Sequence, residues 1–130
     1  HGKPSIKYYD DILQKNRTLT PDVIGRIKGN GHKFVCEFDG PHHFQAQDYG
    51  GGRLTNLRLQ ICSDITKNKF ASDNNMSLLR IAYSDCKTVK NMEKRVREFL
   101  EYCANTTITK AFFSNPDLYQ KTYNQVNKVN

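Results

Sequence analysis

The sequence predicts an α/β fold, a mixed β-sheet flanked by helices, on three observations. Residues 22–28 and 32–39 each alternate apolar and polar side chains around Gly29-Asn30-Gly31, which is the pattern of a hairpin. Residues 54–73 then carry helical spacing, and residues 77–83 (SLLRIAY) form a short apolar strand. A helix between two strands is the crossover that a parallel pair requires.

Each element has its own local cause. Residues 5–16 (SIKYYDDILQKN) place Ile6, Tyr9 and Leu13 at helical spacing behind Ser5 as a cap, which predicts a short helix. In the hairpin, Val23, Gly25 and Ile27 oppose Phe34, Cys36 and Phe38 on an expected core face. Residues 40–52 read as a loop ending in Gly50-Gly51-Gly52, a hinge over the site or a plain linker. In the helix over 54–73, Leu57, Ile61 and Ile65 make the expected apolar stripe, with Gln60, Asp64, Lys67 and Ala71 on an adjacent face. Residues 88–103 predict a second amphipathic helix, with Val89, Met92, Val96, Phe99, Leu100 and Cys103 at core spacing and its Lys and Arg outward. Near the end, Asn115-Pro116 predicts a capped helix start, and that helix is expected to run to about residue 126. The resulting order is α-β-β-α-β-α-α.

At 130 residues the chain is expected to be one domain. It has a core over about 20–103 and a helical extension over 104–130. No apolar run approaches the ~20 residues that span a bilayer, so no membrane is expected. Lys and Arg number 20 against 13 Asp and Glu, a net charge of +7, which favours a polyanionic partner, nucleic acid first. Cys36, Cys62, Cys86 and Cys103 contain no CxxC pair. That spacing argues against a zinc site or a disulfide framework and for a reducing, intracellular compartment.

The hairpin places three acids together in this basic chain. With Asn30-Gly31 as a two-residue turn, Asp22 falls opposite Asp39, and Glu37 shares their face, roughly 7 Å from Asp39 along the strand. Like charges this close repel. A bound cation, a nearby Lys or Arg, or raised pKa values would offset the repulsion, and a solvated sheet face is the ordinary alternative. A divalent ion is the preferred account. Hard oxygen ligands suit Mg²⁺ or Mn²⁺, which combine one or two carboxylates with substrate phosphate. Such an ion activates water toward phosphorus, while Lys and Arg hold the backbone of the polyanion. His43 is a candidate ligand or proton shuttle, whereas its neighbour His42 reads as an ordinary surface residue. Asp64 and Lys67, three apart on a helix, are by default a surface ion pair. Arg53 and Arg58 open that helix as candidate phosphate contacts. Tyr119 and Tyr123 could stack on bases, though core packing is the expected use.

The ordered set Pro21-Asp22, then Glu37-Phe38-Asp39-Gly40-Pro41-His42-His43-Phe44, then Asp64-x-x-Lys67 and Leu79-Arg80-Ile81-x-Tyr83 resembles the PD-(D/E)XK nucleases. More narrowly, it is similar to their very-short-patch-repair-like branch and to phage homing endonucleases named for an E-D-H-D constellation. The resemblance covers about residues 20–103. It implies a restriction-endonuclease-like sheet and a metal-dependent endonuclease that hydrolyses DNA phosphodiester bonds, with double-stranded DNA as the default substrate and RNA and branched or nicked DNA left open. It implies Asp22 as the central ligand, Glu37 and Asp39 holding metal or the attacking water, and the Phe38 carbonyl as a further ligand. His43 would be a ligand or general acid/base, Asp64 would complete the site, and Lys67 would contact phosphate or steady the carboxylates. Two departures stand out. Asp39 replaces the usual Lys, and Asp10 and Asp11 are the nearest substitutes for a first-helix Glu. The family's separate DNA-targeting domains have no counterpart here, which is compatible with a fragment of a longer protein; a phage, viral or mobile-element origin, repair and restriction are all compatible with the sequence. The rival expectation is a non-catalytic nucleic-acid-binding module on the same fold, and a further one is a protein-interaction domain whose acids are simply solvated.

Overall fold

The computed structural model describes residues 5–46 and 53–127; the Gly50-Gly51-Gly52 run lies outside them. The fold is mixed α/β. Strands β1 (Ile6–Asp10) and β2 (Lys15–Leu19) form a two-stranded sheet. Strands β3 (Val23–Arg26), β4 (Lys33–Asp39), β5 (Met76–Ala82) and β6 (Ala111–Phe113) form the main sheet in the order β3-β4-β5-β6. Helix α1 (Arg53–Asp73) connects β4 to β5, helix α2 (Val89–Asn105) connects β5 to β6, and helix α3 (Pro116–Asn127) follows. Strand β3 is antiparallel to β4, whereas β4, β5 and β6 run parallel. No helix among the described residues is long and apolar enough to cross a membrane.

The helix expected over residues 5–16 is instead the β1–β2 hairpin. Two periods fit so short a run. The helical stripe Ile6, Tyr9 and Leu13 competes with the strand alternation Ile6, Tyr8 and Asp10, and the second one is buried. Tyr9 is 54% exposed and Leu13 41%. Ile6 faces Leu19 across the ladder, and both are buried. The turn is fixed locally: Asp10 Oδ1 accepts the Ile12 and Leu13 backbone N–H groups at 2.9 and 3.1 Å, and Gln14 takes a positive φ of 53°. Arg17 ties the hairpin to α1 by donating to Asp10 Oδ2 at 3.0 Å and to Ser63 Oγ at 3.1 Å.

The β3–β4 hairpin forms where expected, but its register differs by two residues. Val23 pairs with Cys36, and the turn closes through Ile27 N–H to His32 O and Gly31 N–H to Ile27 O, with Gly31 at φ 75°. The loop is therefore wider than the Asn-Gly turn predicts. Asn30 is occupied otherwise, because its side chain donates to the carbonyls of Cys103 and Thr106 and so pins the turn to the end of α2. A shift of two keeps each side chain on its face. It does move Asp22 away from Asp39 and alongside Glu37.

Successive residues of β4 and β5 serve opposite faces. Cys36, Leu79 and Ile81 pack with Phe99 and Cys103 of α2, whereas Val35 and Leu78 pack with Ala71 of α1. Burial pushes the Cys36 thiol up to about 12, with Cys103 and Glu37 nearby adding to the effect. Val23 and Phe38, expected in the core, are 40% and 37% exposed at the open end of the hairpin, beyond the α2 cluster. In α1 the face carrying Asp64, Lys67 and Ala71 turns to the sheet, with Leu57 and Ile61 buried, while Ile65 is exposed. Strand β6, absent from the sequence-based order, extends the sheet beside β5.

Gly25 lies opposite Phe34, and a Cβ there would meet the Phe34 ring at 2.6 Å. That ring is wedged edge-on against Phe99 at 6.1 Å between centroids, so it has little room to withdraw. Gly25→Ala is therefore expected to cost about 1–3 kcal/mol, read from the urea midpoint at unchanged slope. An unaltered midpoint would show that the ring yields freely.

Candidate metal and catalytic site

The site lies at the carboxyl ends of β4 and β5, beside the crossover helix. Ligands of open α/β sheets commonly bind in this position. Strand alternation sends Glu37 and Asp39 to the α1 face, and α1 answers with Asp64 and Lys67 one turn apart. After β4 the chain makes a 3-10 turn over Pro41–His43, which swings His43 back over Asp39.

Among the described residues, Asp39, His43 and Asp64 form a group whose candidate ligand atoms all lie within 4.8 Å of one another. His43 Nδ1 is 2.7 Å from Asp64 Oδ2 and 3.4 Å from Asp39 Oδ1. The His43 side chain is 11% exposed and both carboxylates are closed off from solvent, so His43 is the solvent-facing member. Burial alone would lower the imidazole's pKa. The hydrogen bond and charge of Asp64, helped by Asp39, outweigh that effect and hold it above its ordinary value. The His42 ring lies tilted against His43, 4.2 Å between centroids, and burial together with that neighbour lowers its own pKa.

The acids are interleaved with bases. Arg80 of β5 is fully buried, and its Nη1 donates to both oxygens of Asp39 at 2.9 Å. Its Nη2 donates to the Asp64 carbonyl at 3.1 Å, and its Nε to Asn68 Oδ1 at 2.6 Å. Tyr119 of α3 donates its phenol proton to Asp39 Oδ2 at 2.7 Å. Lys67 Nζ donates to Glu37 Oε1 at 2.7 Å. The other oxygen of Glu37 accepts the Asp22 backbone N–H, and Asp22 Oδ2 accepts the Phe38 backbone N–H at 2.9 Å.

The structure thus brings Asp39, His43 and Asp64 together and leaves Asp22 and Glu37 outside that group. Asp22 is exposed and closes the hairpin end, and Glu37 is sealed under Lys67. Asp10 is a hairpin brace paired with Arg17, and Asp11 is exposed. Arg58 lies on α1, and its buried Nε has no hydrogen-bond partner among the described residues. Arg53 opens α1, with its side chain outside the described residues. Sequence reasoning gave no role to Arg80 or Asn68. The signal for Arg80 was present, since a charge in the middle of SLLRIAY must be buried, and a buried charge needs a partner.

Two carboxylates and one imidazole nitrogen at this spacing form a mixed donor set that suits Mn²⁺, and Mg²⁺ with added water. Counting each carboxylate as −1, Arg80 as +1 and His43 as neutral, the group carries −1. That residual charge and the three converging donors fit a divalent ion. Comparison of the chain with family models, with curated proteins and with solved structures yields no match.

Proposed function

We propose that this chain is a metal-dependent nuclease domain that hydrolyses phosphodiester bonds in DNA, with Asp39, His43 and Asp64 as its centre. The observation that carries this reading is the convergence of those three ligand atoms within 4.8 Å at the carboxyl ends of parallel strands. When bound there, a divalent ion supplies Lewis acidity to the phosphodiester and to water.

The chain's own residues supply the rest. Asp39 and Asp64 hold the ion, and Arg80 keeps the two acids from repelling each other. Adding a divalent charge to a group at −1 leaves +1, which one phosphodiester negative charge neutralises. The site is therefore balanced for a diester in particular. His43, at the exposed side, is the group able to hold or release a proton near neutral pH. The overall charge of +7 favours the polyanion that such a site would cut.

A second reading has its own observation. With His43 protonated, Asp39 and Asp64 are already matched by Arg80 and His43, and Glu37 by Lys67. A structural ion network on a non-catalytic nucleic-acid-binding module would look the same. Titration separates the two. The nuclease reading expects one Mn²⁺ site per chain, tighter with a duplex oligonucleotide present, and nicking of supercoiled plasmid that EDTA abolishes. Absence of Mn²⁺ binding with and without DNA would leave only the structural network.

A further inference from the structure

We propose that Tyr119, carried by α3, is a positioning residue that fixes the rotation of the Asp39 carboxylate and so holds one of its oxygens toward the metal group. The inference rests on the metal-dependent reading above and adds to it a part for the C-terminal helix.

Arg80 Nη1 bonds both oxygens of Asp39 at the same distance, 2.9 Å. The two oxygens are chemically equivalent and the clamp pulls on them equally, so these contacts favour neither sense of rotation about Cβ–Cγ. Tyr119 breaks the tie. Its phenol donates only to Oδ2, at 2.7 Å, and so leaves Oδ1 on the His43 side, 3.4 Å from Nδ1. The phenol is held in its donor role, because burial and then the charge of Asp39 drive its pKa upward.

Tyr119 is well placed to impose this choice. It is 2% exposed and packs edge-on against Phe44 at 5.0 Å and against Phe113 at 5.1 Å. Phe44 directly follows His43, so one ring supports the histidine loop while its hydroxyl orients the carboxylate. The base of α3 is fixed as well: Asn115 Oδ1 accepts the Leu118 N–H, and Ser114 Oγ accepts the Ala82 N–H and donates to Asp85. The extension beyond residue 103 thereby reaches Asp39 through the Tyr119 hydroxyl, while the Tyr123 hydroxyl meets Asn68, the partner of Arg80 Nε.

The test is Tyr119→Phe in the full chain, which removes that hydroxyl and keeps the ring. Partners that orient ligating groups typically account for 10–100-fold in metal affinity or activity. The Mn²⁺ dissociation constant, read by water proton relaxation on the protein alone, is expected to rise about ten-fold. With duplex DNA, kcat is expected to fall about ten-fold while KM stays within about two-fold, as for an interaction realised in the transition state. Tyr102→Phe is the control, since it deletes a phenol hydrogen bond of 2.6 Å from α2 to the Ile108 carbonyl beyond the helix end. It should lower the melting temperature and leave both readouts unchanged. Wild-type metal affinity and kcat in Tyr119→Phe would overturn the proposal while leaving the nuclease reading intact, and so would equal losses in Tyr102→Phe. A wild-type chain that neither binds Mn²⁺ nor cuts DNA would remove both.

Discussion

Asp39→Ala is expected to lower the melting temperature by roughly 10–20 °C, the equivalent of about 3–5 kcal/mol in a domain of this size. The cause lies in what the substitution leaves behind. Arg80 is fully buried, and both of its bonds through Nη1 end on Asp39. With the carboxylate gone, a guanidinium stays in the interior, and its next nearest acid oxygen is Asp64 Oδ1 at 3.7 Å. Tyr119 loses its acceptor at the same time. Removing one partner of a buried pair costs far more than removing both. Arg80→Met on the Asp39→Ala background should therefore recover at least about 1 kcal/mol of the loss. Calorimetry on the two variants and the wild type decides the matter. If Asp39→Ala melts within a few degrees of wild type, the pair does not hold the sheet to α1 and α3 as described.

That sensitivity bears on how much of the protein can be read from its sequence. The sheet, α1, α2 and the start of α3 follow from local signals that tertiary contacts reinforce: alternation around a glycine turn, long helical stripes, and a Pro behind an Asn cap. The first hairpin does not follow, because over five residues Ile6-Lys7-Tyr8-Tyr9-Asp10 satisfies both periods, and only docking on Ser63 chooses between them. Strand β6 has three residues, too few for any pattern, and is made by its pairing with β5. At the site, the carboxylates of β4 and the Asp64–Lys67 pair are visible as a constellation, but their partners are not. The sequence argument offered a cation or nearby basic residues to offset clustered acids, and Arg80 and Lys67 fill the second role within the fold. Distance in sequence hides this, since Arg80 stands 41 residues from Asp39 and Tyr119 stands 80. The two-residue register shift is equally invisible, because Asn30 is drawn off by carbonyls at the end of α2.

Since Asp39 serves stability, the decisive test of function is Asp64→Asn. This change keeps shape and size, preserves an oxygen to accept from Gln60 Nε2 at 3.1 Å, and leaves the backbone carbonyl that Arg80 Nη2 contacts. What it removes is one negative charge from the group formed by Asp39, His43 and Asp64. Counted with His43 neutral and Arg80 included, the charge there falls from −1 to zero, and its attraction for a divalent cation falls with it. Loss of a direct ligand charge should exceed the effect of losing an orienting partner, so Mn²⁺ binding and DNA cleavage are each expected to drop by more than ~100-fold. The melting temperature should change by only a few degrees, because Arg80 retains its paired bonds to Asp39. His43→Ala provides the contrast: it removes a neutral donor and the proton-holding group together, so cleavage should fall more than metal affinity does. If Asp64→Asn cuts plasmid at the wild-type rate, the cleavage centre lies elsewhere in the chain. If its melting temperature falls as far as that expected of Asp39→Ala, Asp64 belongs to the structural network and not to a metal site.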